Sequence, residues 1–259
     1  MIHLQGVEKR YGTFQALYPL DLHVKKGEVF GFLGPNGAGK TTTIRILSGV
    51  LVPTNGEVKI NGIDIVKHPV ESKRHVGYIP DRPYLYDKLT AREFLQFVGD
   101  IYEMDREEIQ KRGDELLAEN DLSARADELI EAYSHGMKQR LVLSAALLHS
   151  PSLLIVDEPM VGLDPHGAKR IKEQFRKIAD SGRTVFLSTH SLDVAQEVCD
   201  RVGILFRGQL VAMGTVDEIL ALSKSGDESM DLEQVFLQIT EEQLDTQGMI
   251  DHRKGSVGK

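Results

Sequence analysis

The sequence predicts an α/β protein with a mainly parallel sheet, and three observations carry that prediction. EVFGFL (28–33), LLIV (153–156) and TVFLST (184–189) are short continuous apolar runs rich in β-branched and aromatic residues, as expected of strands covered on both faces. Amphipathic helical stretches stand between them, marked by Ile44 and Leu47, by Ile171, Phe175 and Ile178, and by Leu192, Ala195 and Val198. Strands that alternate with helices in this way build a parallel core. The chain of 259 residues, 41% hydrophobic, is long enough to bury one substantial core.

The remaining elements follow in chain order. Ile2 and Leu4, then Leu20, Leu22 and Val24, alternate with polar residues as half-buried antiparallel strands do. KTTTIRILSGV, from Lys40, opens a helix. Asn61-Gly62 stands between Val58 with Ile60 and Ile63 with Ile65, the signal of a tight hairpin. An antiparallel β subsheet is therefore expected near the N-terminus. Residues from about 90 to 148 predict an inserted helical subdomain: Thr90 and Glu93 have capping-box spacing, and Phe94, Phe97, Val98 and Ile101 recur at helical intervals. This organisation gives a main domain over 1–220. Leu232, Val235, Phe236 and Ile239 suit an amphipathic helix packed on the core, within a helical extension over 221–245. The polar, aperiodic stretch 246–259 is expected to be a flexible tail.

Composition narrows the function. A formal net charge of −8 argues against tight duplex binding, which draws on Lys and Arg displacing counterions, so no nucleic-acid partner is expected. Cys199 is the single cysteine, which leaves no intramolecular disulfide and no thiolate metal cluster; it suits a small apolar place on a helix face. MIHLQGVEKR lacks the apolar core of a secretory signal, and no apolar run approaches the ~18 residues needed to span a bilayer. A cytoplasmic protein is expected, meeting a membrane only through a partner.

The densest chemistry is GPNGAGKTT, residues 34–42. It has the full GxxxxGK[ST] form from Gly34 to Thr41, follows a strand-like run and opens a helix, which predicts a P-loop NTPase core. Gly37 and Gly39 permit backbone angles that let amides converge on anionic oxygens, and the helix N-terminus adds partial positive charge. Lys40 should reach the β- and γ-phosphates, while the Thr41 hydroxyl should ligate Mg²⁺. In LLIVDEP, a buried strand ends in Asp157, placed to hold the magnesium shell, and Glu158 follows where an attacking water would sit. His190, after TVFLST, lies at the C-terminal end of a third parallel strand, where ligands of open α/β sheets gather.

With these motifs in this order, the chain resembles the nucleotide-binding domain of an ABC transporter over about residues 2–220. The resemblance implies an ABC ATPase fold that binds ATP and Mg²⁺. Tyr11, in KRYGTFQAL, would stack on the base with Ala16 nearby. Gly34, Pro35, Asn36, Gly37, Ala38, Gly39, Lys40, Thr41 and Thr42 would form the Walker A loop, and Asp157 and Glu158 would close the Walker B strand. GLD, ending at Asp164, would be the D-loop, and His190 would hold the γ-phosphate.

YSHGMKQR (133–140) occupies the signature position, although Tyr133, His135 and Met137 depart from the usual Leu-Ser-Gly-Gly-Gln start. In that family Ser134 and Gly136 complete the site of a second copy in a head-to-tail dimer, or of a homologous ATPase subunit. Asp81, in YIPDRP, stands where a glutamine is usual; a carboxylate there can also ligate Mg²⁺. The signature, DEPMVGLDP and DLEQVFLQIT most resemble ATPase subunits of multidrug-type exporters, whose permeases are separate chains. The expected role is then an ATPase on the inner face of the membrane, bound to a permease that carries the cargo path. The rival is a soluble ABC-type ATPase that remodels nucleic acid or ribosomes. Such translation-type relatives usually carry two cassettes per chain, and this chain has one.

Overall fold

The computed structural model describes residues 1–160, 165–222 and 232–241, with the side chains of residues 165 and 166 left out. The strands and helices are β1 (Ile2–Tyr11), β2 (Phe14–Val24), β3 (Val29–Leu33), α1 (Lys40–Leu47), β4 (Asn55–Ile60), β5 (Ile63–Asp64), α2 (Pro69–Arg74), β6 (Val76–Ile79), α3 (Ala91–Ile101), α4 (Arg106–Glu119), α5 (His135–Leu147), β7 (Leu153–Asp157), α6 (Pro165–Asp180), β8 (Thr184–Thr189), α7 (Leu192–Val198), β9 (Arg201–Phe206), β10 (Gln209–Thr215) and α8 (Val216–Leu220). Residues 232–241 form a further helical stretch.

Two sheets result. β2-β1-β4-β5 is antiparallel, with Ile2 opposite Val24 and Leu4 opposite Leu22, which puts the alternating apolar residues on one buried face. The other sheet runs β10-β9-β3-β8-β7-β6. Its strands from β9 to β6 are parallel, and β10 closes the edge antiparallel to β9. β3, β7 and β8 are buried along their whole length, which is why their sequences are unbroken apolar runs.

The helical insertion is present as α3, α4 and α5, with two short 3-10 turns between α4 and α5. Thr90 starts α3 by a reciprocal cap: its hydroxyl accepts the Glu93 N–H at 3.2 Å, and the Glu93 carboxylate accepts the Thr90 N–H at 2.8 Å. Phe94 is buried, but Phe97 and Ile101 stay largely exposed, so only part of the expected apolar stripe faces the core. α5 lies against β6 so closely that a Cβ on Gly77 would come within 2.3 Å of the Ala146 carbonyl oxygen.

Three differences from the sequence-based expectation have local causes. The second arm of the 61–62 hairpin stops at Asp64, because its carboxylate accepts the N–H groups of Val66 and Lys67 and turns the chain. β6 is only four residues long and two of its residues are half-buried, so it lacks a clear apolar run. β9 and β10 form a hairpin across Arg207-Gly208, where β10 is half-buried and reads as neither alternating nor apolar.

Cys199 is buried against Gly31, the bland role expected of it, and burial pushes its thiol well above the ordinary range. Leu232 and Val235 join the main core cluster, with Phe236 and Ile239 packed against it. Asp164, the rest of the extension beyond residue 222, and the expected tail 246–259 lie outside the described residues. Among the described residues no helix is long and apolar enough to cross a membrane.

Candidate functional site

β3, β8 and β7 are neighbours in the parallel sheet, and each delivers a site residue just past its C-terminal end. β3 leads through the glycine loop to Lys40, β7 ends in Asp157 with Glu158 next, and β8 leads to His190. They meet at a cleft of about 440 Å³, lined by Tyr11, Ala16, Pro35, Asn36, Gly37, Gly39, Lys40, Thr41, Thr42, Asp81, Asp157, Glu158 and His190, and also by Phe14. Gly34 and Ala38 lie just behind this surface: Ala38 is buried, and the Gly34 carbonyl accepts a hydrogen bond from Lys40.

Gly39 caps α1 at φ +109°, and a Cβ there would also press to 3.0 Å from the Ala16 carbonyl oxygen. No side chain accepts from the first turn of α1, and no acidic residue occupies that turn. The orphan N–H groups of this helix start are thus open to an anion, which is what a phosphate needs.

Lys40 is only 6% exposed. Its Nζ donates to Gly34 O at 2.6 Å and Pro35 O at 3.3 Å, and stands 3.7 Å from Glu158 Oε1. Burial pulls the ammonium below its ordinary pKa, and the nearby Glu158 and Asp157 carboxylates act against that pull. Asp157 shows the converse balance. Burial raises its pKa, while hydrogen bonds from the Ser188 and Thr41 hydroxyls favour the ionised form.

Glu158 is the hinge of the site. Its φ of +51° turns the chain out of β7, a left-handed geometry that costs about 1–2 kcal/mol for a residue with a side chain. The Glu158 N–H still reaches Ser188 O at 3.1 Å. The turn aims the carboxylate into the cleft, where Oε2 lies 2.9 Å from His190 Nδ1. Lys40, Glu158 and His190 therefore form one continuous polar chain.

Asp81 sits on the wall of the same cleft with its side chain 49% exposed, 4.0 Å from the Arg82 guanidinium. Among the described residues no group of three or more His, Cys, Asp or Glu could hold a metal by itself. The buried Asp157, bonded to Thr41 and Ser188, instead suits an ion that keeps waters and takes phosphate oxygens as further ligands, as Mg²⁺ does.

Ser134 and Gly136 are not brought to this cleft. Ser134 caps α5, accepting the Met137 N–H at 3.3 Å, and is exposed elsewhere on the surface. Two residues of the site, one buried behind the cleft and one on its wall, escaped the sequence reading. Ser188 lies opposite Asp157 in the β7–β8 register and donates its hydroxyl to that carboxylate. Phe14, 66% exposed, is the cross-strand partner of Tyr11.

Comparison with known proteins agrees with this geometry. The profile of the family described as ABC transporter matches residues 17–161. The linearmycin resistance ATP-binding protein LnrL of Bacillus subtilis (strain 168) is 39% identical over 219 residues, covering 85% of this chain and 70% of that protein. A solved ATP-binding subunit of an ABC transporter superposes with a TM-score of 0.85 at 32% identity, covering 93% of this chain and 99% of its own. A dimeric ATP-binding cassette in a post-hydrolysis state, bound to ADP and Pi, superposes with a TM-score of 0.74 at 28% identity, covering 83% and 98%. A glycine loop opening an uncapped helix, an acidic strand end beside it and relatives at this identity leave one conclusion: the chain belongs to the ABC transporter family, as one of its ATP-binding, ATP-hydrolysing subunits.

Proposed function

We propose that the chain hydrolyses Mg-ATP in this cleft and, by pairing head-to-tail with a second copy or a homologous subunit, drives a separate membrane permease that exports its cargo. The observation that carries this reading is the Lys40–Glu158–His190 chain, with 3.7 Å and 2.9 Å between its members, in one cleft with the glycine loop. In the assignment, the α1 amides and Lys40 hold the phosphates, and Tyr11 stacks on the base beside Ala16. Thr41 and Asp157 would hold Mg²⁺, with Asp81 as a second carboxylate at the same wall. The ion supplies charge neutralisation for the transferring phosphoryl group. Glu158 accepts the proton of the attacking water, and His190 orients that carboxylate and contacts the γ-phosphate.

Ser134 and Gly136 lie outside their own cleft, and this supports their use by a second chain, as does the dimeric state of the cassette structure bound to ADP and Pi. With ATP held between two chains, the loss of γ-phosphate contacts on hydrolysis releases the pair. The resistance role named for LnrL supports export. No membrane-crossing helix is found among the described residues, which fits attachment to the inner face of a membrane through the permease.

Glu158→Gln is the test. A positioned base contributes ~10²–10⁴-fold, so turnover should fall by that factor while ATP affinity stays within about twofold, and ATP should trap a dimer. Turnover at the parent rate would remove Glu158 from its role.

A further inference from the structure

α4 ends on a buried polar residue. Asn120 is 1% exposed, and its amide spans three helices. Nδ2 donates to Leu116 O in α4 at 2.9 Å and to Ser144 Oγ in α5 at 3.0 Å, while Oδ1 accepts from Gln174 Nε2 in α6 at 2.7 Å. Ser144 passes the connection on by donating to Arg140 O at 2.9 Å. Arg140 then closes the figure: Nη1 donates to Asn120 O at 2.8 Å and Nε to Gly136 O at 3.3 Å. Asp121, next along the chain with φ +52°, takes an ion pair from Arg170 of α6 and lies 3.8 Å from Arg140.

The elements joined here are not arbitrary. α5 begins with the Ser134–Gly136 turn, and α6 begins directly after Asp164. The Asn120 amide is paired at both ends, although Gln174 Oε1 is buried without a partner, and such a buried polar network tolerates fewer arrangements of its members than an apolar contact, which allows sliding. We propose that Asn120 and Arg140 are positioning residues: they hold the Ser134–Gly136 turn at a fixed angle to α6, so that it meets the triphosphate of a second copy without being ordered on contact. The inference rests on the head-to-tail reading above. Ordering the turn in advance removes an entropic cost from association and leaves nucleotide binding in each chain's own cleft untouched.

The test uses the full chain in the Glu158→Gln background, with ATP-driven dimerisation followed by sedimentation and ATP affinity measured separately at dilution. Gln174→Met removes the Asn120 tie to α6 and leaves the Arg170–Asp121 pair in place, and Arg140→Lys keeps the charge but replaces the two donor nitrogens of the planar fork, Nε and Nη1, by one. Each should weaken dimerisation tenfold or more with ATP affinity within twofold, and hydrogen exchange should rise in the first turn of α5. Asn120→Asp, which retains the acceptor for Gln174, should restore part of the loss seen with Asn120→Leu. Dimerisation within twofold of the parent in both Gln174→Met and Arg140→Lys overturns the inference and leaves the dimer reading standing. A Glu158→Gln parent that stays monomeric in saturating ATP overturns the dimer reading, and this inference with it.

Discussion

Tyr11 and Phe14 face each other across the turn that folds β1 onto β2, and both residues line the candidate cleft. An aromatic ring left 66% exposed gains little from its own protein, so Phe14 has most to gain from a ligand. Stacking is worth ~1–3 kcal/mol per base, so Phe14→Ala should weaken ATP binding about tenfold while leaving affinity for inorganic tripolyphosphate unchanged. Equal losses for both ligands, read by titration calorimetry, would place Phe14 away from the base. Lys40, Thr41, Asp157 and Glu158 were legible in the sequence because their motifs are local: the spacing that makes them recognisable also makes the geometry. Phe14 and Ser188 were not. Ser188 owes its place to pairing between strands, opposite Asp157, and no local spacing encodes that register; Phe14 stands three residues from Tyr11 across a tight turn, but nothing in that turn marks its ring as part of the cleft.

At the scale of elements, the joint between α5, β6 and the end of α3 contains a titratable ring. His149 stacks on Tyr102 at 3.7 Å between centroids, and its Nε2 lies 3.1 Å from Val76 O. A carbonyl only accepts, so Nε2 carries the proton and Nδ1 is left buried without a partner. Charging the ring would bury an unpaired N–H, and burial accordingly pulls its pKa from 6.5 down to about 4. Between those values the unfolded chain binds the extra proton and the folded one does not. Stability from this group is therefore complete above pH 6.5 and drains away as pH falls toward about 4, at no more than about 1.4 kcal/mol per pH unit. His149→Gln keeps a donor for Val76 and removes the titration. Denaturant melts across that range should show a shallower acid loss in the variant; parallel curves would assign the loss to other groups. The neighbouring β6 and the edge strand β10 were hidden in the sequence for a related reason: their half-buried residues give neither a continuous apolar run nor a clean alternation. The α3 cap was legible because its two hydrogen bonds lie within four consecutive residues.

For the whole molecule, the order of motifs was enough to read the three central strands of the parallel sheet, β3, β7 and β8, since each of those motifs marks one strand end, whereas the antiparallel sheet and the inserted helices were read from periodicity and capping. What one chain could not display is the destination of Ser134, which the fold leaves exposed and outside its own cleft. If the reaction centre is shared, ATP turnover per chain should fall as the protein is diluted through its dimerisation range, with the total rate rising about as the square of concentration at the dilute end. A steady-state assay over a hundredfold dilution that shows constant turnover per chain would make the single cleft self-sufficient.

The two sheets hold opposite ends of the cleft: Tyr11 and Phe14 belong to the antiparallel one, whereas Lys40 and Asp157 follow strands of the parallel one. An intact nucleotide seated along it is consequently a staple between two layers of the protein, with a clasp at each end. Cutting the ligand into nucleoside and phosphate would leave every contact available and no bridge, so adenosine plus tripolyphosphate should protect the N-terminal layer from proteolysis less well than ATP at equal occupancy.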